Sequence, residues 1–285
     1  MPTVNRQAIA NAEQVQGRNN LALISKAFRT SVSAQTVTQW TATGIPGTGV
    51  NTGGVAYTGA QLTSATTGAL AFGDAPASHK RFLRSIQLCT NATTDGVITV
   101  LDRLVQFPGI DHATIGTTGI VYDPGLPRYT TGAGVMAFLE VTTGLNAVAH
   151  TISISYTNQA GTSGRTSVAI TPTASAGADR VPHLPIYLPF QSGDTGIKNV
   201  ASVTIASAGA PTGTSCLVLA KPICHIHIAG DRNALEKGSS DFLNLNFDLP
   251  EIQNGAALMM LFTAQTSIAN PAFRGHAKSF VVQTS

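Results

Sequence analysis

Eleven short runs of apolar residues follow one another from Arg81 to the end of the 285-residue chain, and most are closed by a turn signal. They are RFLRSIQLCT (81–90), GVITVLDRL (96–104), VMAFLEVTT (135–143), HTISISYTN (150–158), RTSVAITPT (165–173), HLPIYLPF (183–190), NVASVTIAS (199–207), SCLVLAKPICHIHIAG (215–230), FLNLNFDLP (242–250), AALMMLFTA (256–264) and KSFVVQTS (278–285). Several alternate with period two, which one-sided burial of a strand demands. No long helical pattern alternates with them, so a parallel α/β sheet is excluded. The spacing predicts an all-β fold, an antiparallel β-sandwich of jelly-roll-like kind. QAGTSG joins the fourth and fifth runs as a hairpin-like loop, and Pro182, Pro185 and Pro189 place the HLPIYLPF strand at a sheet edge. A boundary in TASAGADR divides the β region into lobes 76–178 and 179–285; a single sandwich over 76–285 fits the same pattern.

Charge is scarce. Only 17 Lys+Arg and 14 Asp+Glu are present, 11% of the chain, where an ordinary domain carries about 25%. Ala, Thr and Gly, at 38, 36 and 28, fill the space. A net charge of +3 without a basic stripe argues against nucleic acid. The absence of a long apolar run argues against a membrane. Cys89, Cys216 and Cys224 are an odd number and too few for a disulfide framework, so reduced thiols made in a cytoplasm are expected. Composition of this kind favours a protein that lies against other proteins.

Two features precede the β runs. Residues 5–30 carry apolar positions at helical spacing (Ile9, Ala12, Val15; then Leu21, Ile24, Phe28) and predict a short helix, or two broken at Gly17. Ser31 to Gly73 then holds no charged residue at all. A free linker has no use for Trp40, Tyr57, Leu62, Leu70 and Phe72, so this stretch is read as an extended segment ordered against a surface, its own or a neighbour's. Together, residues 1–75 make an N-terminal arm. Its expected partner-binding residues are Ile9, Val15, Ile24, Phe28, Trp40 and Tyr57. On that reading, deleting residues 1–30 abolishes attachment and leaves the β body folded.

The chemistry-bearing residues do not form a signature. Asp194 lies in GDTG (193–196), the loop string of aspartic proteases, but polar Gln191, Ser192 and Gly193 precede it, and a β-turn explains Asp and Gly equally. His225 and His227 in CHIHI point to one face of a strand and are the candidate metal pair. His183, His276 or Cys216 would have to supply further ligands. Two outward histidines on a strand are otherwise ordinary, and no metal or cofactor is expected. His112 follows Asp111, and Asp74 lies near His79, yet no serine sits in a strand-to-helix elbow. GIPGTGVNTGG has the glycines of a phosphate loop without its GK[ST] ending. Arg165 with Tyr122, Tyr129, Tyr156 and Tyr187 are the sugar-stacking candidates. No catalytic residue is assigned.

Five strings carry a resemblance: LDRL (101–104), LPRYTTGAGVMAFLEV (126–141), SYTNQAGTSGRTS (155–167), LPFQSGDTGIKNVASVTI (188–205) and CLVLAKPI (216–223). Through them the span from Lys80 to Ile223 resembles virion structural proteins of tailed bacteriophages. The resemblance implies a non-enzymatic component of the particle. Its partners would be the major capsid protein or other virion proteins, and further copies of itself as a dimer or trimer. Joined to the arm-plus-sandwich layout, it suggests a capsid decoration or cement protein. A tail, baseplate or fibre component, such as a glycan-binding adhesin, is the alternative.

Overall fold

Alternation governs the backbone where it is strongest. In HTISISYTN, His150, Ile152, Ile154, Tyr156 and Asn158 are buried and the four residues between them are half-buried, as a strand with one face on a core requires. The computed structural model describes residues 20–27, 36–51, 54–90, 95–122, 124–172, 185–228, 238–241, 249–264 and 272–283. Among these the chain is all-β, with antiparallel ladders and no helix.

The strands in chain order are β1 (Asn20–Ala27), β2 (Thr36–Thr38), β3 (Gly44–Ile45), β4 (Ala60–Gln61), β5 (His79–Thr90), β6 (Gly96–Asp111), β7 (Gly116–Gly119), β8 (Met136–Thr143), β9 (His150–Asn158), β10 (Arg165–Thr166), β11 (Pro185–Tyr187), β12 (Ile197–Ser207), β13 (Thr214–Ile228), β14 (Gly238–Asp241), β15 (Glu251–Ile252), β16 (Leu258–Ala264) and β17 (Ala272–Gln283). They fall into two compact units, neither of them a consecutive stretch. Unit 1 takes the described residues up to Gly49, those of Thr63–Leu101 and those from Ile223 on; unit 2 takes Val50–Leu62 and Asp102–Pro222. The chain therefore changes unit inside β6 and inside β13, whereas the sequence pattern suggests consecutive lobes. The expected boundary near 178 lies outside the described residues.

Unit 2 is a β-sandwich. One sheet runs β10-β9-β12-β7; the other holds β11, β8, β13 and β6, with β4 on β6. Ile152, Ile154, Val203 and Ile205 from the first sheet and Val105, Phe107, Leu139 and Leu217 from the second share one core. β10 pairs with β9 across the short loop, as the hairpin reading expected, although among the described residues of the RTSVAITPT run only Arg165–Thr166 is strand. β11 ends its sheet, where its prolines lead one to expect it.

Unit 1 has a sheet of order β14-β5-β17-β1-β3, with β15 also on β5. A second sheet brings in β16 and β2. Leu258 to Phe262 of β16 are all buried, so this strand is covered on both faces and reads as a continuous apolar run.

Two expectations about the arm change here. Residues 20–27 are a strand, not part of a helix. Ala22 and Ile24 are buried (Ile24 2% exposed) and Leu21 and Leu23 are exposed, a period of two. β17 pairs with the segment along its whole length, from Asn20↔Ser279 to Ala27↔Ala272. The helical spacing of Leu21, Ile24 and Phe28 loses to that ladder, which pairs the segment with β17 along its length and buries Ala22 and Ile24. Ile9, Val15 and Phe28 lie outside the described residues. Trp40 is not presented to a partner either: it is wholly buried within unit 1. The Gly49 amide donates to the Trp40 carbonyl at 2.7 Å, and a Cβ on Gly49 would collide with the indole. Leu62, Leu70 and Phe72 are buried too. The uncharged segment, where described, is thus ordered by its own chain. Its lack of charge suits burial, since an unpaired ion there would be penalised heavily.

Candidate functional site

The Asp194 loop resolves into a structural clamp. β9 projects Tyr156 and Asn158 toward the 191–196 turn, and β10 brings Arg165. The Tyr156 hydroxyl donates to Asp194 Oδ2 at 2.6 Å, Arg165 Nε to the same oxygen at 2.9 Å and Asn158 Nδ2 to Oδ1 at 2.7 Å. The Asp194 amide closes a turn on the Gln191 carbonyl at 3.1 Å. The hydrogen bond from Arg165 and then that from Tyr156 hold the carboxyl down at about 2. A carboxylate with three donors and no proton to give is a tie between strands rather than a general acid. We expect Asp194→Ala to lower the thermal midpoint of unit 2, and Asp194→Asn to do so less, with neither changing any peptide cleavage. Because the folded value lies below the ordinary 3.8, this contribution is complete above pH 4 and fades as pH falls toward 2. Melting curves of wild type and both variants at pH 7 and pH 2.5 check this; a variant penalty that is the same at both pH values would refute it.

The other sequence candidates separate in space. His225 and His227 do face outward on β13, between buried Cys224, Ile226 and Ile228. His225 Nδ1 lies 2.9 Å from Thr99 Oγ1. Among the described residues no three His, Cys, Asp or Glu side chains are gathered to hold a metal ion. Cys216 lies buried against Arg103 Nη2 at 3.9 Å, His276 sits on β17 opposite Leu23 and Gln87, and His183 is outside the described residues. Burial pushes the Cys216 and Cys224 thiols up to about 12, so neither is a ready thiolate. Tyr156 and Tyr122 are core residues and offer no ring to a sugar; Tyr187 alone of the four is exposed. Tyr57 is half-buried, its hydroxyl accepting from the Asp111 amide at 3.1 Å. His79 and Asp74 are tied to the Ala77 carbonyl and the Gly255 amide respectively.

What the sequence reading did not single out is where the charges went. Arg103 of β6 and Glu140 of β8 form an ion pair at 2.7 Å with both side chains wholly buried. Asn51 Nδ2 donates to the same Glu140 oxygen at 2.6 Å, and Arg103 Nη2 donates to Asn51 Oδ1 and Gln106 Oε1. Arg128 grips Asp102 through two 2.8 Å bonds and donates to the Leu62 carbonyl. Four of the chain's few charges are therefore spent inside unit 2. Its four-stranded sheet, in turn, is neutral on its outer face along Thr151, Ser153 and Ser155 of β9 and Ala206, Thr204 and Ser202 of β12, with Thr117 of β7 bonded to Thr204 at 2.9 Å and Lys198 at the start of β12. The signal was legible in HTISISYTN, whose outward positions are all hydroxyls.

No family model and no curated protein matches the chain. Among solved structures it is similar to the infectious bursal disease virus VP2 subviral particle, at 7% identity over 93% of this chain and 80% of that one, with a TM-score of 0.20. It is also similar to the VP1 pentamer of Human Polyomavirus 6, at 8% identity over 92% and 95%, with a TM-score of 0.15. Overlaps this slight carry no assignment, and none is taken from them. No helix of the described residues is long and apolar enough to cross a membrane.

Proposed function

We propose that this chain is a non-enzymatic structural protein of a virion, and more narrowly a capsid decoration or cement protein of a tailed bacteriophage. The observation that carries the reading is the placement of charge in unit 2: ion pairs buried against its strands, hydroxyl and methyl groups along the outward face of β9 and β12. A free monomer gains solubility from surface ions; a subunit held among neighbours gains more from a neutral surface that presents no ion to be stripped of water. The five resembling strings point the same way. So does the state of the chemistry-bearing residues, since Asp194, Arg103, Glu140 and Arg128 are committed to holding strands. Attachment is assigned to the segments containing Ile9, Val15 and Phe28, and many weak contacts repeated over a lattice give the affinity. The protein is made in the host cytoplasm and ends in the particle.

Quantitative mass spectrometry of purified particles of the virus that encodes the chain tests this. Hundreds of copies per particle are expected. A handful of copies confined to the tail would replace cement with a tail, baseplate or fibre role. Absence from particles would remove the virion reading altogether.

A further inference from the structure

Where β6 ends, His112 lies wholly buried between the two sheets of unit 2. Its Nδ1 is 2.8 Å from Nε2 of His150, the first residue of β9, and its Nε2 is 2.7 Å from the hydroxyl of Ser215, near the start of β13. His150 Nδ1 lies 2.9 Å from the Val148 carbonyl. His150 and Ser215 are buried as well. The two imidazoles meet edge to face, 5.0 Å between centroids.

With both rings neutral, one arrangement of protons satisfies every contact. A carbonyl only accepts, so His150 Nδ1 carries a proton and donates to Val148. With both rings neutral, His150 Nε2 is then an acceptor and His112 Nδ1 donates to it. His112 Nε2 is left as an acceptor, and the Ser215 hydroxyl donates to it. The chain Ser215 to His112 to His150 to Val148 thus runs in one direction and joins β13 and β6 of one sheet to β9 of the other. A superficial likeness to a nucleophile–base–orienter triad goes no further, because a wholly buried Ser215 admits no substrate.

We propose that Ser215, His112 and His150 form an acid-released latch between the two sheets of the unit 2 sandwich. An added proton can be hydrogen-bonded but places a charge where burial excludes water. On His112 Nε2 it reverses the Ser215 hydroxyl and puts a charge where there is no water. On His150 Nε2 it drives the His112 proton across to Nε2, which keeps the contacts but leaves the charge on a second ring shut off from water. The ionisable groups acting on His112 are His150, which opposes a second positive charge, and Asp111, which favours one. The adjoining ends of β12 and β13, Ser207 opposite His150 and Gly213 accepting the His112 amide, add no charge. Burial first, and His150 second, hold His112 down at about 4 from its ordinary 6.5.

The sign follows. The opened state takes up a proton near pH 6.5 and the closed state only near pH 4. Closure is therefore unaffected above pH 6.5 and weakens from there down to pH 4. The open population at pH 5 should exceed that at pH 7.5 by about 30-fold. This inference does not depend on the virion reading.

The experiment uses the full chain. Histidine nitrogen NMR at pH 7.5 should show His112 protonated on Nδ1, with no titration until the pH approaches 4. Hydrogen exchange, corrected for intrinsic rates, should show residues 110–114, 149–152 and 213–217 losing about 30-fold protection between pH 7.5 and pH 5, while 273–282 of unit 1 does not follow. His112→Gln, which keeps a donor and an acceptor but cannot titrate, should abolish that fall. Titration of His112 near 6.5, an Nε2-protonated ring, or unchanged protection at pH 5 would each overturn the latch. So would an undiminished fall in His112→Gln; if that variant does not fold, the wild-type spectra decide alone.

Discussion

Glu140→Ala is expected to destabilise unit 2 by about 3–5 kcal/mol, a large part of the roughly 5–15 kcal/mol that a domain has to lose. The reason is what it leaves behind. Arg103 has no exposed surface, and its Nη1 has Glu140 Oε2 as its charged partner at 2.7 Å. Without that carboxylate a guanidinium stays in the core facing neutral acceptors such as Asn51 and Gln106, and Asn51 loses its own 2.6 Å acceptor. Removing both charges together is a different experiment. Arg103→Met with Glu140→Leu keeps the volume and abolishes the desolvation problem, so it should recover most of the loss. Urea unfolding followed by hydrogen exchange of residues 102–111 and 136–143 reads unit 2. A cost below about 1 kcal/mol for Glu140→Ala, or a double variant as unstable as the single one, would show that water reaches this pair and that the buried-charge argument is wrong.

How far the sequence foretold this is best judged at particular residues. β9, β12 and the C-terminal half of β13 were legible, because their partners lie on one side only and the chemistry alternates accordingly. β6 was half legible. Its pattern continues through LDRLVQF, but nothing local says that Asp102 and Arg103 find Arg128 and Glu140, which are 26 and 37 residues away. Pairing over such distances is a property of the topology, not of any window of sequence. The segment 31–73 was read as ordered, which its described residues bear out, and given two surfaces to lie on. Trp40 lies on its own, since Gly49 leaves room for the indole. β1 was misread because the segment supports both periods, Leu21 and Ile24 at helical spacing and Ala22 and Ile24 at a spacing of two, and only the presence of β17 decides between them. His112, noticed for its neighbour Asp111, owes its setting to His150 and Ser215. No motif joins these three, and only the packing of one sheet on the other does.

The strand assignment of residues 20–27 leads to the second large effect. Deleting residues 1–19 should leave unit 1 folded, whereas deleting residues 1–30 should unfold it or make it aggregate. The longer deletion removes an eight-residue ladder with β17 and the two-residue pairing of Ser25 and Lys26 with β3. It also removes buried Ile24, about 2–3 kcal/mol by itself. Several backbone hydrogen bonds, at about 1 kcal/mol each, go with it, so the total rivals the stability of a small domain. β17 would be left with a bare edge, a template for pairing with other chains. Red-shifted Trp40 emission and lost exchange protection in residues 79–90 and 272–283 are the expected readings for the 1–30 deletion. Neither should appear on deleting residues 1–19. If the longer deletion keeps the Trp40 emission and the protection of 272–283, β1 is dispensable and the ladder is not what holds unit 1. The distinction also decides how attachment must be measured. Loss of particle binding by the 1–30 deletion would follow from unfolding alone, while loss by the 1–19 deletion, with unit 1 intact, assigns the contact to the residues around Ile9 and Val15.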